Sequence, residues 1–163
     1  MQSEMRHWLG LWDYLDGNFW GFWQWAVDHL TAAQVGWQPV PHVASIGWNL
    51  QHLGEMLDHY LAHVFRQGNQ VQAEQLLTMR SGSQDDGRFT DLQTIAAYHR
   101  RLRPAYRAFL GELSLADLDR VIERINRRPI SYGWCVGHIA EHESYHVGKC
   151  MLLRTLIRGV GPS

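Results

Sequence analysis

The sequence predicts an all-α protein, a four-helix bundle with a short extra helix between the third and fourth long helices. Three observations carry that expectation. Apolar residues recur at helical spacing in four long segments, and no segment makes a convincing strand. The 163 residues suit one domain, 1–163, with a core of useful size. Four long helices in one small domain imply a bundle, an architecture that builds metal sites from side chains on facing helices.

The first helix is expected from about Glu4 to Leu30. Its apolar positions are Trp8, Leu11, Trp12, Leu15, Phe19, Phe22, Trp23 and Val27, and Gly10, Gly17 and Gly21 weaken it. Thr31-Ala-Ala-Gln34 is a capping box for one extra turn, after which Pro39 and Pro41 enforce extended chain. A second helix should start near Ser45 and stop at Gln67-Gly68, with Gly in the C-terminal position that favours it. Ser81 to Gly87 reads as a solvated loop. Thr90-Asp-Leu-Gln93 is a second capping box and opens the third helix to about Leu113, with Pro104 bending it or removing one hydrogen bond. Ser114 should cap the short helix, which runs to about Ile125. The fourth long helix runs from about Ser131 to Arg158, followed by a tail expected to fray.

Composition narrows the function. With 15 Lys+Arg against 16 Asp+Glu, a net charge of −1 argues against nucleic acid as the main partner. Acidic and polar residues interrupt every apolar run near the N-terminus, so no membrane span is expected, and no secretory signal is read there. Cys135 and Cys150 would lie about 22 Å apart on one helix, too far to bridge, which points to a reduced, cytoplasmic protein. The 10 His and 8 Trp are more than an ordinary domain carries. Of the eight, Trp8, Trp12, Trp20, Trp23, Trp25, Trp37, Trp48 and Trp134, most should be core. Some would line a pocket, and those exposed on the first helix would suit a homodimer face.

The fourth helix holds the most informative run, His138-Ile-Ala-Glu-His142-Glu-Ser-Tyr-His146. Its inward stripe is Cys135, Ile139, His142, His146, Cys150, Leu153 and Ile157, which leaves His138 at the edge as a flanking residue. Histidines at i and i+4 can reach one metal ion, although two core imidazoles bonded to backbone or Tyr hydroxyls would have the same spacing. Facing them, His52, His59 and His63 share one side of the second helix, and periodicity does not choose among the three. His142-Glu143-Ser-Tyr-His146 also fits the H-E-x-x-H pattern of zinc proteases. Those enzymes take their third ligand downstream, and nothing after His146 is His, Asp or Glu.

Three segments carry a family resemblance. They are Leu30-Thr-Ala-Ala-Gln-Val-Gly-Trp37-Gln-Pro-Val-Pro, Ser45-Ile-Gly-Trp48-Asn-Leu-Gln-His52-Leu-Gly-Glu55 and His142-Glu-Ser-Tyr-His146-Val-Gly-Lys149. Their order and spacing resemble the DinB/YfiT-like metalloenzymes over nearly the whole chain. The resemblance implies a four-helix bundle binding a divalent metal ion, zinc or nickel, through His52, His142 and His146. It departs from the family at Lys149, where the motif usually has Gln, so a substrate contact from that position differs here. The second-helix motif is also similar to the metal domain of ergothioneine-forming sulfoxide synthases, which need iron and a second, larger domain that this chain lacks.

Three His ligands leave a position open on a tetrahedral ion, the mark of a catalytic site. The family includes thiol S-transferases, so the resemblance implies a small-molecule substrate, a low-molecular-weight thiol. The alternative is a non-enzymatic metal-binding or stress-associated bundle. Glu55 and Glu143 are candidates for supporting or base residues. Glu143, about 60° off the inward stripe, reads as solvated. Because the ligands must be neutral, occupancy should fall below about pH 6.

Overall fold

The computed structural model of the chain describes residues 2–65, 76–79, 84–122 and 129–162. Four long helices form the bundle: α1 (Gln2–Val27), α3 (Ile46–His59), α4 (Leu92–Glu112) and α6 (Tyr132–Val160). Two single-turn helices accompany them, α2 (Ala32–Val35) and α5 (Leu115–Leu118). Both α1 and α3 pack against α4 and α6, so α1 and α3 stand at opposite corners. Their apolar faces meet in one core around Phe19, Ile46, Leu53, Tyr106 and Ile139.

The start signals mostly act as expected. Thr31 closes its capping box with Gln34 on α2, and Ser114 closes one with Asp117 on α5. Ser45 and Ser131 cap α3 and α6 by accepting from the N–H groups of Trp48 and Trp134. At α4 the cap is Asp91, not Thr90. Its carboxylate accepts from the amides of Gln93 and Thr94 and from the Thr94 hydroxyl, satisfying more donors than the Thr90 box would.

The aromatic stripe of α1 is narrower than the sequence suggests. Trp12, Phe19, Trp23 and Ala26 are buried, whereas Leu11 and Phe22 remain 46% and 41% exposed. Each of these two lies one residue, or 100°, from a buried Trp, which turns it past the seam with α4 and α6. The second helix changes character near its end: after His59 it continues as a π-helical stretch, Tyr60–Phe65, whose last carbonyl accepts from the Tyr132 hydroxyl. The Gln67-Gly68 stop lies outside the described residues, as do positions 81–83 of the expected loop. Asp85, in that same stretch, is not simply solvated. It accepts from the backbone N–H of Ser45 (2.6 Å) and of Gly87 (2.8 Å), tying the loop to the start of α3.

Two expectations near the C-terminal half are corrected. The short helix ends at Leu118 rather than Ile125, and the chain then forms β1 (Val121–Ile122), antiparallel to β2 (Ile130–Ser131). Two residues per strand are too few for an alternation pattern to show, which is why the sequence hid them. The C-terminal tail does not fray up to Pro162, because the Pro162 carbonyl accepts from the Gln34 side chain at 2.8 Å.

Gly47 fixes how the loop meets the bundle. A Cβ there would lie 1.6 Å from the Phe89 carbonyl oxygen, so only glycine lets the first turn of α3 press against that backbone. This contact, with the Asp85 bond, positions the end of α3 that faces the histidines of α6.

Candidate metal centre

His52 on α3 and His142 and His146 on α6 each offer a ring nitrogen, and the three atoms lie within 4.8 Å of one another. The second helix had offered three histidines. His59 instead packs edge-on against the Tyr60 ring, and the side chain of His63 lies outside the described residues. His138 stacks on Trp134 and meets His142 edge-on, outside the converging trio.

Hydrogen bonds behind the cluster settle which nitrogens face it. Thr78 gives both its backbone N–H (2.7 Å) and its hydroxyl (2.6 Å) to one oxygen of Glu55. With its proton so placed, the Thr78 oxygen can only accept from His52 Nδ1, 3.1 Å away, which leaves Nε2 of His52 a bare lone pair. Asn49 does the same for His146. Its amide nitrogen donates to the carbonyls of Ala44 and Ser45. Its oxygen then accepts from His146 Nδ1 at 2.6 Å, and Nε2 of His146 is left free. Trp48 stacks on His52 at 4.8 Å between centroids and fixes the ring plane.

The donor set fits a divalent ion. Nε2 of His52 and Nε2 of His142 are 2.9 Å apart. Two nitrogens on a tetrahedral ion with 2.0–2.1 Å bonds would be roughly 3.4 Å apart, so a shift of a few tenths of an ångström opens the pair. Burial, first of all, drives the imidazoles toward the neutral form that binds metal. The His52 and His142 pKa values fall to about 4 and that of His146 to about 2, with the positive charge of Lys149 pushing the same way in each.

Of the two carboxylates, Glu55 takes the supporting role the sequence offered it and Glu143 departs from its solvated reading. Glu55 is buried, accepts from Gln51 as well as Thr78, and acts on His52 through Thr78. Glu143 is also buried and not solvated. Both of its oxygens accept from the guanidinium of Arg103, at 2.8 and 3.2 Å, and Arg103 in turn holds Asp16 of α1. Because α6 is packed on two sides, its 60° offset turns Glu143 toward α4 and α1 instead of water. Burial pushes its carboxyl up against the pull of Arg103.

Periodicity missed Asn49 and Thr78. Asn49, one turn before His52, sits inside a motif already singled out, and a buried Asn there is the signal that was available. Thr78 comes from the connection after α3, and no spacing rule reaches it.

A cleft of about 910 Å³ opens beside the cluster, touching Trp48, Tyr145, His146 and Lys149 and walled by the Pro39–Ala44 segment and Leu156. The sequence profile of the DinB superfamily matches residues 20–150, from α1 to within α6. The chain belongs to the DinB superfamily. Its helical architecture is that of a DinB-like bundle. A crystal structure of a conserved protein from Enterococcus faecalis is similar in fold, with a TM-score of 0.72 at 15% identity, over 91% of this chain and 95% of that one. No curated protein matches. Among the described residues no helix is long and apolar enough to cross a membrane. A DinB fold with three converging imidazoles is compatible with a metal site.

Proposed function

We propose that this protein is a divalent-metal-dependent enzyme, with zinc or nickel held by His52, His142 and His146, and that it transfers a low-molecular-weight thiol to an electrophile. The observation that carries the reading is the pair of forced tautomers, which leaves Nε2 lone pairs on His52 and His146 within a three-histidine cluster beside an open cleft. The ion would supply positive charge that lowers the pKa of a bound thiol. The net reaction forms a carbon–sulfur bond, and the leaving group and the thiol proton depart.

The chain's own groups support transfer over hydrolysis. Its two thiols are buried, and burial pushes that of Cys150 up to about 12, so the reacting thiol comes from the substrate. Peptide hydrolysis by the H-E-x-x-H pattern would need Glu143 over the histidines, and Glu143 is turned off their stripe and engaged by Arg103 of α4. The cleft beside His146 also favours a site that receives a ligand over a closed binding module.

The test gives protein loaded with zinc or nickel a panel of cellular thiols and a chromogenic aryl halide, beside a casein digest. Transfer that disappears in His142→Ala is the expected result. Absent transfer, or transfer unchanged in that variant, refutes the reading, as does proteolysis that depends on Glu143.

A further inference from the structure

Lys149 is the chain's only lysine, and it is half-buried in the lining of the cleft beside His146. Among the described residues no carboxylate pairs with it. Its ammonium lies instead 4.3 Å from the centroid of the Tyr145 ring. The acidic group that shares the cleft, Asp85, accepts instead from the backbone N–H groups of Ser45, at the start of α3, and of Gly87, and forms no ion pair with the lysine.

The rest of the lining is mostly apolar. Val40, Val43, Leu152 and Leu156 face the space along with Trp48. Val40, Val43 and Leu152 are 55%, 39% and 61% exposed, although they flank one continuous concavity. Its size falls in the range that encloses a small organic molecule. An apolar hollow with one uncompensated cation at its metal-side end has a definite complement.

We infer that the cleft binds an apolar monocarboxylate, its hydrocarbon body against the Val40–Val43 segment and the Leu152–Leu156 face of α6 and its carboxylate on Lys149. This names the electrophile of the proposed reactive centre as one carrying a carboxylate on an apolar body and rests on that reading for its role, whereas the binding itself requires no turnover. A partly desolvated ammonium–carboxylate contact discriminates against the neutral and cationic versions of the same chain. A carboxylate could also be drawn by a metal ion, so the two attractions must be separated.

The experiment titrates decanoate, decanol and decyltrimethylammonium into chelated and zinc-loaded protein by calorimetry, with Lys149→Gln and Lys149→Arg alongside and helical circular dichroism checking each fold. The expected result is binding of decanoate at least 10-fold tighter than decanol in chelated protein. That preference should vanish in Lys149→Gln and persist in Lys149→Arg. Equal binding of acid and alcohol, no binding of decanoate, or a preference that needs zinc and ignores Lys149→Gln overturns the inference. Failed thiol transfer with an intact decanoate preference would sink the transferase reading alone.

Discussion

Asn49 Oδ1 and His146 Nδ1 meet at 2.6 Å, and the amide can present no other face because its nitrogen is committed to the carbonyls of Ala44 and Ser45. Asn49 therefore chooses the tautomer of a histidine 97 positions away. Asn49→Ala should weaken zinc binding about 10- to 100-fold, the usual effect of losing such a support. His146→Ala should abolish it and His138→Ala should leave it nearly intact. Equilibrium dialysis with metal analysis distinguishes the three, and equal loss in His138→Ala and His146→Ala would remove the assignment.

Metal removal should leave the bundle standing. The core around Phe19, Leu53, Tyr106 and Ile139 is built from apolar contacts among all four long helices and does not pass through the imidazoles. Chelated protein should keep its helical circular dichroism at room temperature. Unfolding on chelation would make the site structural.

Lower pH should destabilise the metal-free protein, and the direction follows from His99. This residue is fully buried, donates from Nε2 to the Leu50 carbonyl, and has its pKa pushed to about 4, mainly by burial. Between about 6.5 and 4 the unfolded chain takes up a proton that the folded one refuses, so stability present at neutral pH is lost as pH falls through that window. The His99 contribution is on the order of 3 kcal/mol. His52, His142 and His146 shift the same way. Urea denaturation at pH 7 and 4.5 should show the lower midpoint at 4.5, and equal midpoints would contradict this. For the same reason a bound ion should be retained through pH 5, below the midpoint near 6 that an unburied histidine suggests.

Arg103 and Glu143 lock α4 to α6 inside the bundle, with side chains 2% and 6% exposed. Glu143→Ala leaves a buried guanidinium with Asp16 alone and should cost about 3–5 kcal/mol in chemical denaturation. The double variant Arg103→Met, Glu143→Leu should recover most of that loss. A single variant within 1 kcal/mol of wild type (about the worth of a surface pair) would show that the pair is not buried in solution.

Two glycines should respond in opposite directions to alanine. Gly47→Ala forces the Phe89 backbone to move and should destabilise by roughly 1–3 kcal/mol or more. At Gly137, exposed on α6 with open space around it, alanine should stabilise by about 0.5–1 kcal/mol. Thermal melts of the two variants provide the comparison.

Long amphipathic segments and most caps were legible because their signals are local: Ser45, Ser131, the Thr31 capping box and the Ser114 cap can be read from neighbours a few residues away, and only the Thr90 box gave way to Asp91. The facing of His142 and His146 was legible for the same reason. Glu143 was misread because its environment is decided by α1 and α4, whose Asp16 and Arg103 lie far off in sequence. The Thr78–Glu55 link and the two-residue strands are likewise products of tertiary contact, and no periodicity encodes them.

The solitary lysine has a practical consequence. With the N-terminal α-amine blocked, amine-directed reagents have one side-chain target in this chain, and it lies in the wall of the cleft beside His146. A fluorophore or crosslinker carried on such a reagent would therefore report from the mouth of the metal centre without an engineered attachment point, and a molecule occupying the cleft would register as protection from labelling.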